Sequence, residues 1–166
     1  MILKRKMDLE LVKNFISKQS PSTNIYLGAD SERYNTKGVW YADFTTACVV
    51  HYNGNRGAKL FGNITTERDY DQNMDKPRFR LMKEVYLVSG LYLELAEAIG
   101  DRHFEIHLDI NSSDKHGSNC VMSEAIGYIK ATCNVIPFVK PRAFAASYCA
   151  DRYKDLAAAS NKIANA

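Results

Sequence analysis

Three observations predict an α/β fold on a mixed sheet. An early stretch of β-branched and aromatic residues is folded back at Asn53-Gly54, and a later stretch alternates helical and extended patterns. The third is size: 166 residues, 46% hydrophobic and 25% charged, can bury one core but not two ordinary ones. Residues 1–166 are therefore expected to form a single domain, with an N-terminal helix over about 7–18 and a core over about 25–157.

The N-terminal helix follows from Met7, Leu11 and Phe15 at helical spacing, with Asp8 and Glu10 early and Lys13 and Lys18 late, as the helix dipole favours. Ser20-Pro21-Ser22-Thr23-Asn24 breaks the chain before a buried strand, Ile25-Tyr26-Leu27-Gly28-Ala29-Asp30-Ser31, after which residues 31–35 read as a turn. Residues 39–52 and 56–64 form an antiparallel pair about Asn53-Gly54, the strongest short-range hairpin signal. Residues 65–77 are polar and read as a loop. A long helix spans 79–99, with Leu81, Val85, Val88, Leu91, Leu95 and Ile99 on one stripe and Gly100-Asp101 closing it.

Phe104 to Asn111 alternates apolar and polar residues over eight positions and is the clearest strand. A loop over 111–117, a helix over 118–131, a short strand over 135–139 and an Ala-rich helix over 143–159 complete the chain. Three antiparallel strands in a meander, then parallel strands linked by helices on both faces, satisfy this order with right-handed crossovers.

A formal charge of +3 permits a nucleic-acid partner through a local patch without requiring one. No apolar run approaches the ~20 residues of a membrane helix, and the first six residues lack an apolar signal core, so a cytoplasmic protein off the membrane is expected. Cys48, Cys120, Cys133 and Cys149 form no CxxC pair and read as buried thiols of a reducing compartment. GxxxxGK[ST], GxGxxG and GxSxG are all missing, leaving P-loop, dinucleotide and nucleophile-elbow chemistry without support.

Four acids stand out. Asp30 ends a buried apolar strand, where an ionised carboxylate costs several kcal/mol unless compensated; a turn-forming role is its plain alternative. Asp109 ends the alternating strand, and Glu84 interrupts the apolar stripe of the long helix. Asp151 lies in a helix otherwise of Ala, Phe, Tyr and Cys, with Asp155 competing for the same role. Pairing the first strand with the fourth brings Asp30 beside Asp109, and carboxylates that close call for divalent cations or a shared proton. Hard oxygen ligands suit Mg²⁺ or Mn²⁺, and two such ions can drive an in-line phosphoryl displacement.

The element order with Asp30, Glu84, Asp109 and Asp151 resembles the ribonuclease H fold and its four-acid metal site. Gly28-Ala29-Asp30-Ser31, His107-Leu108-Asp109-Ile110-Asn111, Lys140-Pro141, Ala145-Ala146-Ser147 and Ala150-Asp151-Arg152 are similar to the YkuK-type ribonuclease-H-like proteins over about residues 25–154. The resemblance implies hydrolysis of a nucleic-acid phosphodiester with two Mg²⁺ or Mn²⁺ ions held by the four acids. The RNA strand of an RNA:DNA hybrid is the favoured substrate, structured DNA cut in the manner of a resolvase is the alternative, and a noncatalytic nucleic-acid-binding module is the other reading.

Ser31 and Asn111 beside the acids could hold a phosphate or a 2′-hydroxyl, or cap turns. Lys140, before the last helix, is a candidate phosphate contact. His103 and His107 lie ~13 Å apart along a strand, too far for one zinc ion, leaving His107 as a candidate partner of an acid and His116 in a solvated loop. Trp40, Tyr41 and Phe44 are expected to pack in the core rather than stack on bases.

Overall fold

The computed structural model describes residues 6–73, 75–113 and 115–164, with the side chains of 161–164 left aside; the N-terminal residues 1–5, read above as lacking a signal core, lie outside it. Five strands, β1 (Asn24–Thr36), β2 (Val39–His51), β3 (Ala58–Arg68), β4 (Phe104–Asn111) and β5 (Phe138–Lys140), form one sheet in the order β3-β2-β1-β4-β5. β1, β2 and β3 are an antiparallel meander, while β4 and β5 run parallel to β1. The expected mixed α/β sheet is thus present.

Helices α1 (Leu9–Ser17), α2 (Arg78–Ile99) and α3 (Met122–Cys133) gather on one face, α2 lying across β1, β2 and β4 and carrying the other two. On the opposite face a π-helical segment, Ala145–Cys149, runs into α4 (Ala150–Ala164) and packs on β1, β2 and β3. The main core lies beneath α2, where Val85, Val88 and Leu95 meet Ile25, Leu27, Ile106 and Leu108. Each such side chain contributes roughly 1.5–3 kcal/mol by leaving water. Asp8 caps α1 by accepting from the Leu11 N–H at 3.1 Å, and Gly100, at φ 55°, ends α2.

Several boundaries differ from expectation. β1 does not stop at Ser31: residues 31–36 continue as strand, Ser31 opposite Phe44 and Thr36 opposite Val39. Lys37 and Gly38, at φ 51° and 82°, make the two-residue turn instead. β3 likewise runs through Arg68, since residues 65–68 find partners in Phe44 to Tyr41. The fifth strand is reduced to Phe138–Lys140, a short helical turn (Gly117–Val121) precedes α3, and the last helix starts in a π-turn.

Trp40 also departs from the reading of a core residue: it is 37% exposed, whereas Phe44 is buried. Of the cysteines, Cys48 and Cys133 are buried, with burial raising their thiols to about 12 and about 11, but Cys120 is exposed. Among the described residues no helix is long and apolar enough to cross a membrane.

Candidate active site

The parallel register pairs Gly28 with His107 and Ala29 with Leu108, so Asp30 and Asp109 follow at the same end of neighbouring strands. Two glycines let the opposite layer approach. A β-carbon at Gly28 would overlap the backbone of Ala145 and Ala146, and one at Gly62 would overlap the Tyr153 ring. With both positions bare, the π-turn seats directly on β1 and α4 lies low over β3. That seating carries Ser147 to Asp109, whose Oδ1 accepts from Ser147 Oγ at 3.1 Å, and Lys154 to Asp30.

Lys154 Nζ donates to Asp30 Oδ2 at 3.0 Å, lies 2.8 Å from Asp151 Oδ1 and 3.8 Å from Glu32 Oε2. Lys140 Nζ stands 2.7 Å from Asp109 Oδ1. Burial would lower both ammonium groups, but the bond from Lys154 to Asp151 with the charge of Asp30, and the bond from Lys140 to Asp109, outweigh it and hold both above the ordinary lysine value. Each acid of the central pair therefore has its own protein cation.

Glu84 approaches from α2 on the other face and is 3% exposed. Its Oε1 accepts from Ser31 Oγ, which in turn accepts from Arg80 Nη1 at 2.8 Å; Arg80 also reaches the Ser31 carbonyl at 3.1 Å. Burial first, then the charges of Asp30 and Asp109, push Glu84 well above the usual carboxylate range. Burial likewise pushes Asp30 to about 6 against the pull of Lys154, with Asp109 and Asp151 adding to the rise. At neutral pH Asp30 is thus largely ionised beside its ammonium, and Glu84 holds its proton more tightly than an ordinary carboxyl does.

The structure brings Asp30, Glu84 and Asp109 into one electrostatic cluster and ties Asp151 to it through Lys154, although the Asp151 side chain is 63% exposed. Asp155 is exposed on the same helix. Ser31 serves Glu84, and Lys140 serves Asp109 from the end of β5. Asn111 is absorbed by the following turn: its Oδ1 accepts from the Ser113 N–H at 2.9 Å and its own N–H donates to Ser118 Oγ at 2.9 Å.

His107 is fully buried, its Nδ1 accepting from the Ala145 N–H at 3.0 Å and its Nε2 paired with Glu105 at 2.8 Å. Burial lowers its pKa, so it is a neutral ring with Nε2–H donating, and the acid it partners is Glu105 rather than one of the four. Two participants were not legible in the sequence. Lys154 reaches Asp30 across 124 positions, and its only local signal is its place three residues after Asp151; Arg80, one turn before Glu84, gave none.

As donors, the carboxylates of Asp30, Glu84 and Asp109, the first two pushed up by burial and then by neighbouring acids, suit a hard divalent cation. Lys154 and Lys140 already place an ammonium group on Asp30 and on Asp109. Among the described residues no three His, Cys, Asp or Glu side chains are grouped closely enough to hold one ion. The residues therefore fit Mg²⁺ or Mn²⁺ by chemistry, and binding must displace protein cations.

Residues 8–155 match the family described as Ribonuclease H-like, so the chain belongs to that family. No curated protein and no solved structure matches. The fold is that of nucleic-acid-processing nucleases in general.

Proposed function

We propose that the chain is a divalent-metal-dependent nuclease that hydrolyses a nucleic-acid phosphodiester, with Asp30, Glu84, Asp109 and Asp151 as ligands. The observation that carries this is the convergence of Asp30, Glu84 and Asp109, with Glu84 buried and pushed well above the usual carboxylate range by burial and by its acidic neighbours. A bound pair of Mg²⁺ or Mn²⁺ ions supplies water activation and stabilisation of the leaving oxygen.

The protein's own part is positional. Arg80 and Ser31 hold Glu84 toward Asp30, with its carboxyl aimed into the cluster. Ser147 fixes one oxygen of Asp109. Lys140, 40% exposed, pairs with Asp109 and would be free to meet a strand phosphate were that carboxylate to hold a cation. The Ser31 and Asn111 side chains are committed to Glu84 and to the turn, so a 2′-hydroxyl contact by either would require it to give up that partner.

The favoured substrate is the RNA strand of an RNA:DNA hybrid, with structured DNA as the alternative. One observation favours a noncatalytic nucleic-acid-binding module: Lys140 and Lys154 already neutralise Asp109 and Asp30, as structural ion pairs would. Cleavage of labelled hybrid, single-stranded RNA, duplex DNA and a four-way junction with Mg²⁺ or Mn²⁺, by the parent and Asp30→Asn side by side, separates these. The nuclease reading expects metal-dependent cutting of one substrate that disappears in the variant. No cutting of any, or equal cutting by both proteins, contradicts it.

A further inference from the structure

Away from the acid cluster, the β1–β2 turn and the chain following β3 enclose an open cavity of about 710 Å³, with Arg33, Trp40, Arg68, Asp69 and Tyr70 in its wall. Two aromatic rings are exposed there, Trp40 at 37% and Tyr70 at 67%, and each has a guanidinium beside it: Arg33 4.2 Å from the Trp40 ring centre, Arg68 5.3 Å from that of Tyr70. Core packing does not account for either ring.

The acids of this wall are already engaged. Asp69 pairs with Arg33 at 2.7 Å, with both side chains largely buried, and buried Asp71 accepts from the Phe79 and Arg80 N–H groups at the start of α2, each at 2.8 Å. Arg33 also donates to the Asp71 carbonyl at 3.0 Å, so the guanidinium beneath Trp40 is fixed and the ring is preorganised. Arg68 and Lys37 are exposed, which leaves the charge offered to solvent positive. Exposed rings with cationic neighbours match the π-faces and phosphates of an unpaired strand.

The groove is also continuous with the Glu84 side of the acid cluster. On β1, Arg33 follows Ser31 by two residues, ~7 Å, on the same face of the strand, the one α2 covers, whereas Asp30 faces the α4 layer. Arg80, which holds Ser31 and through it Glu84, belongs to the helix start that Asp71 caps.

We propose that this groove is a base-stacking subsite, in which Trp40 and Tyr70 hold an unpaired stretch of nucleic-acid strand that leads to the acid cluster. It rests on the nucleic-acid reading above but not on catalysis. Trp40 is the single tryptophan of the chain, so its fluorescence reports this groove alone.

The test titrates the full chain, in EDTA, with a single-stranded 12-nucleotide RNA or DNA and separately with heparin. Saturable change in Trp40 fluorescence by an oligonucleotide but not by heparin is expected, with Tyr70→Ala weakening that binding by about five-fold or more. Trp40→Phe keeps most of the affinity when binding is followed by anisotropy of a labelled oligonucleotide, which also shows that the fold survives. No fluorescence change, an equal response to heparin, or unchanged affinity in Tyr70→Ala overturns the subsite. Cleavage without a Trp40 response removes the groove and keeps the nuclease; a response without cleavage does the reverse.

Discussion

Two groups of acids, one in the segment between β3 and α2 and one on β1, α2 and β4, are treated in opposite ways. Asp71 accepts two backbone N–H groups at the start of α2, and Asp69 has a guanidinium at 2.7 Å. Each thereby offsets its desolvation and ties the segment after β3 to the sheet. Glu84, by contrast, has a hydroxyl as its partner and two other carboxylates as neighbours, and both it and Asp30 are pushed upward. Burial of an acid does not distinguish structure from function; the match between its charge and its surroundings does.

The comparison can be broken by substitution. The largest effect is expected for Gly28→Ala, because the added methyl meets the backbone of Ala145 and Ala146 and lifts the layer that brings Ser147 to Asp109. A loss of about 3 kcal/mol in denaturant unfolding is expected. Asp71→Ala comes next, with about 2 kcal/mol lost as two helix-start N–H groups lose their acceptor. In metal-free buffer at pH 8, Asp30→Asn should instead stabilise the protein, by about 1 kcal/mol, since it removes one charge from a cluster with too many. Destabilisation there as large as that of Asp71→Ala would place Asp30 with the structural acids.

The smallest effect is a pH dependence. Asp30 titrates at about 6 in the folded chain against 3.8 as a free side chain, so the folded state binds its proton more tightly. The corresponding stability is fully present below about pH 4 and is lost as pH rises through 6. Without metal, the midpoint of urea unfolding should fall across that window in the parent and less so in Asp30→Asn; parallel profiles would remove Asp30 as the cause.

These contrasts also explain what could be read from the sequence. β4 was legible residue for residue because strict alternation over Phe104 to Asn111 leaves no other period, and α2 because its stripe and Gly100 mark face and end. β1 was read five residues short because Ser31-Glu32-Arg33-Tyr34-Asn35 is polar in composition; its strand character comes from pairing with β2, a tertiary cause. Asp30, Glu84 and Asp109 were visible as acids in apolar patterns. Asp69 and Asp71 were not, because they sit in a polar segment where acids are unremarkable, and their burial depends on Arg33 and α2 folding over them. Lys154 escaped for a related reason: a lysine in a helical stretch of sequence carries no sign of a partner 124 residues away.

The central claim is that Asp30, Glu84 and Asp109 are kept together to hold a divalent cation. Its most direct test is thermal unfolding at pH 7.5 with and without Mn²⁺, in the parent and in Asp109→Asn. The account predicts a rise of about 5 °C in the parent at a hundredfold excess over Kd, with little or none in the variant. The same rise in both proteins, or none in the parent, would contradict it.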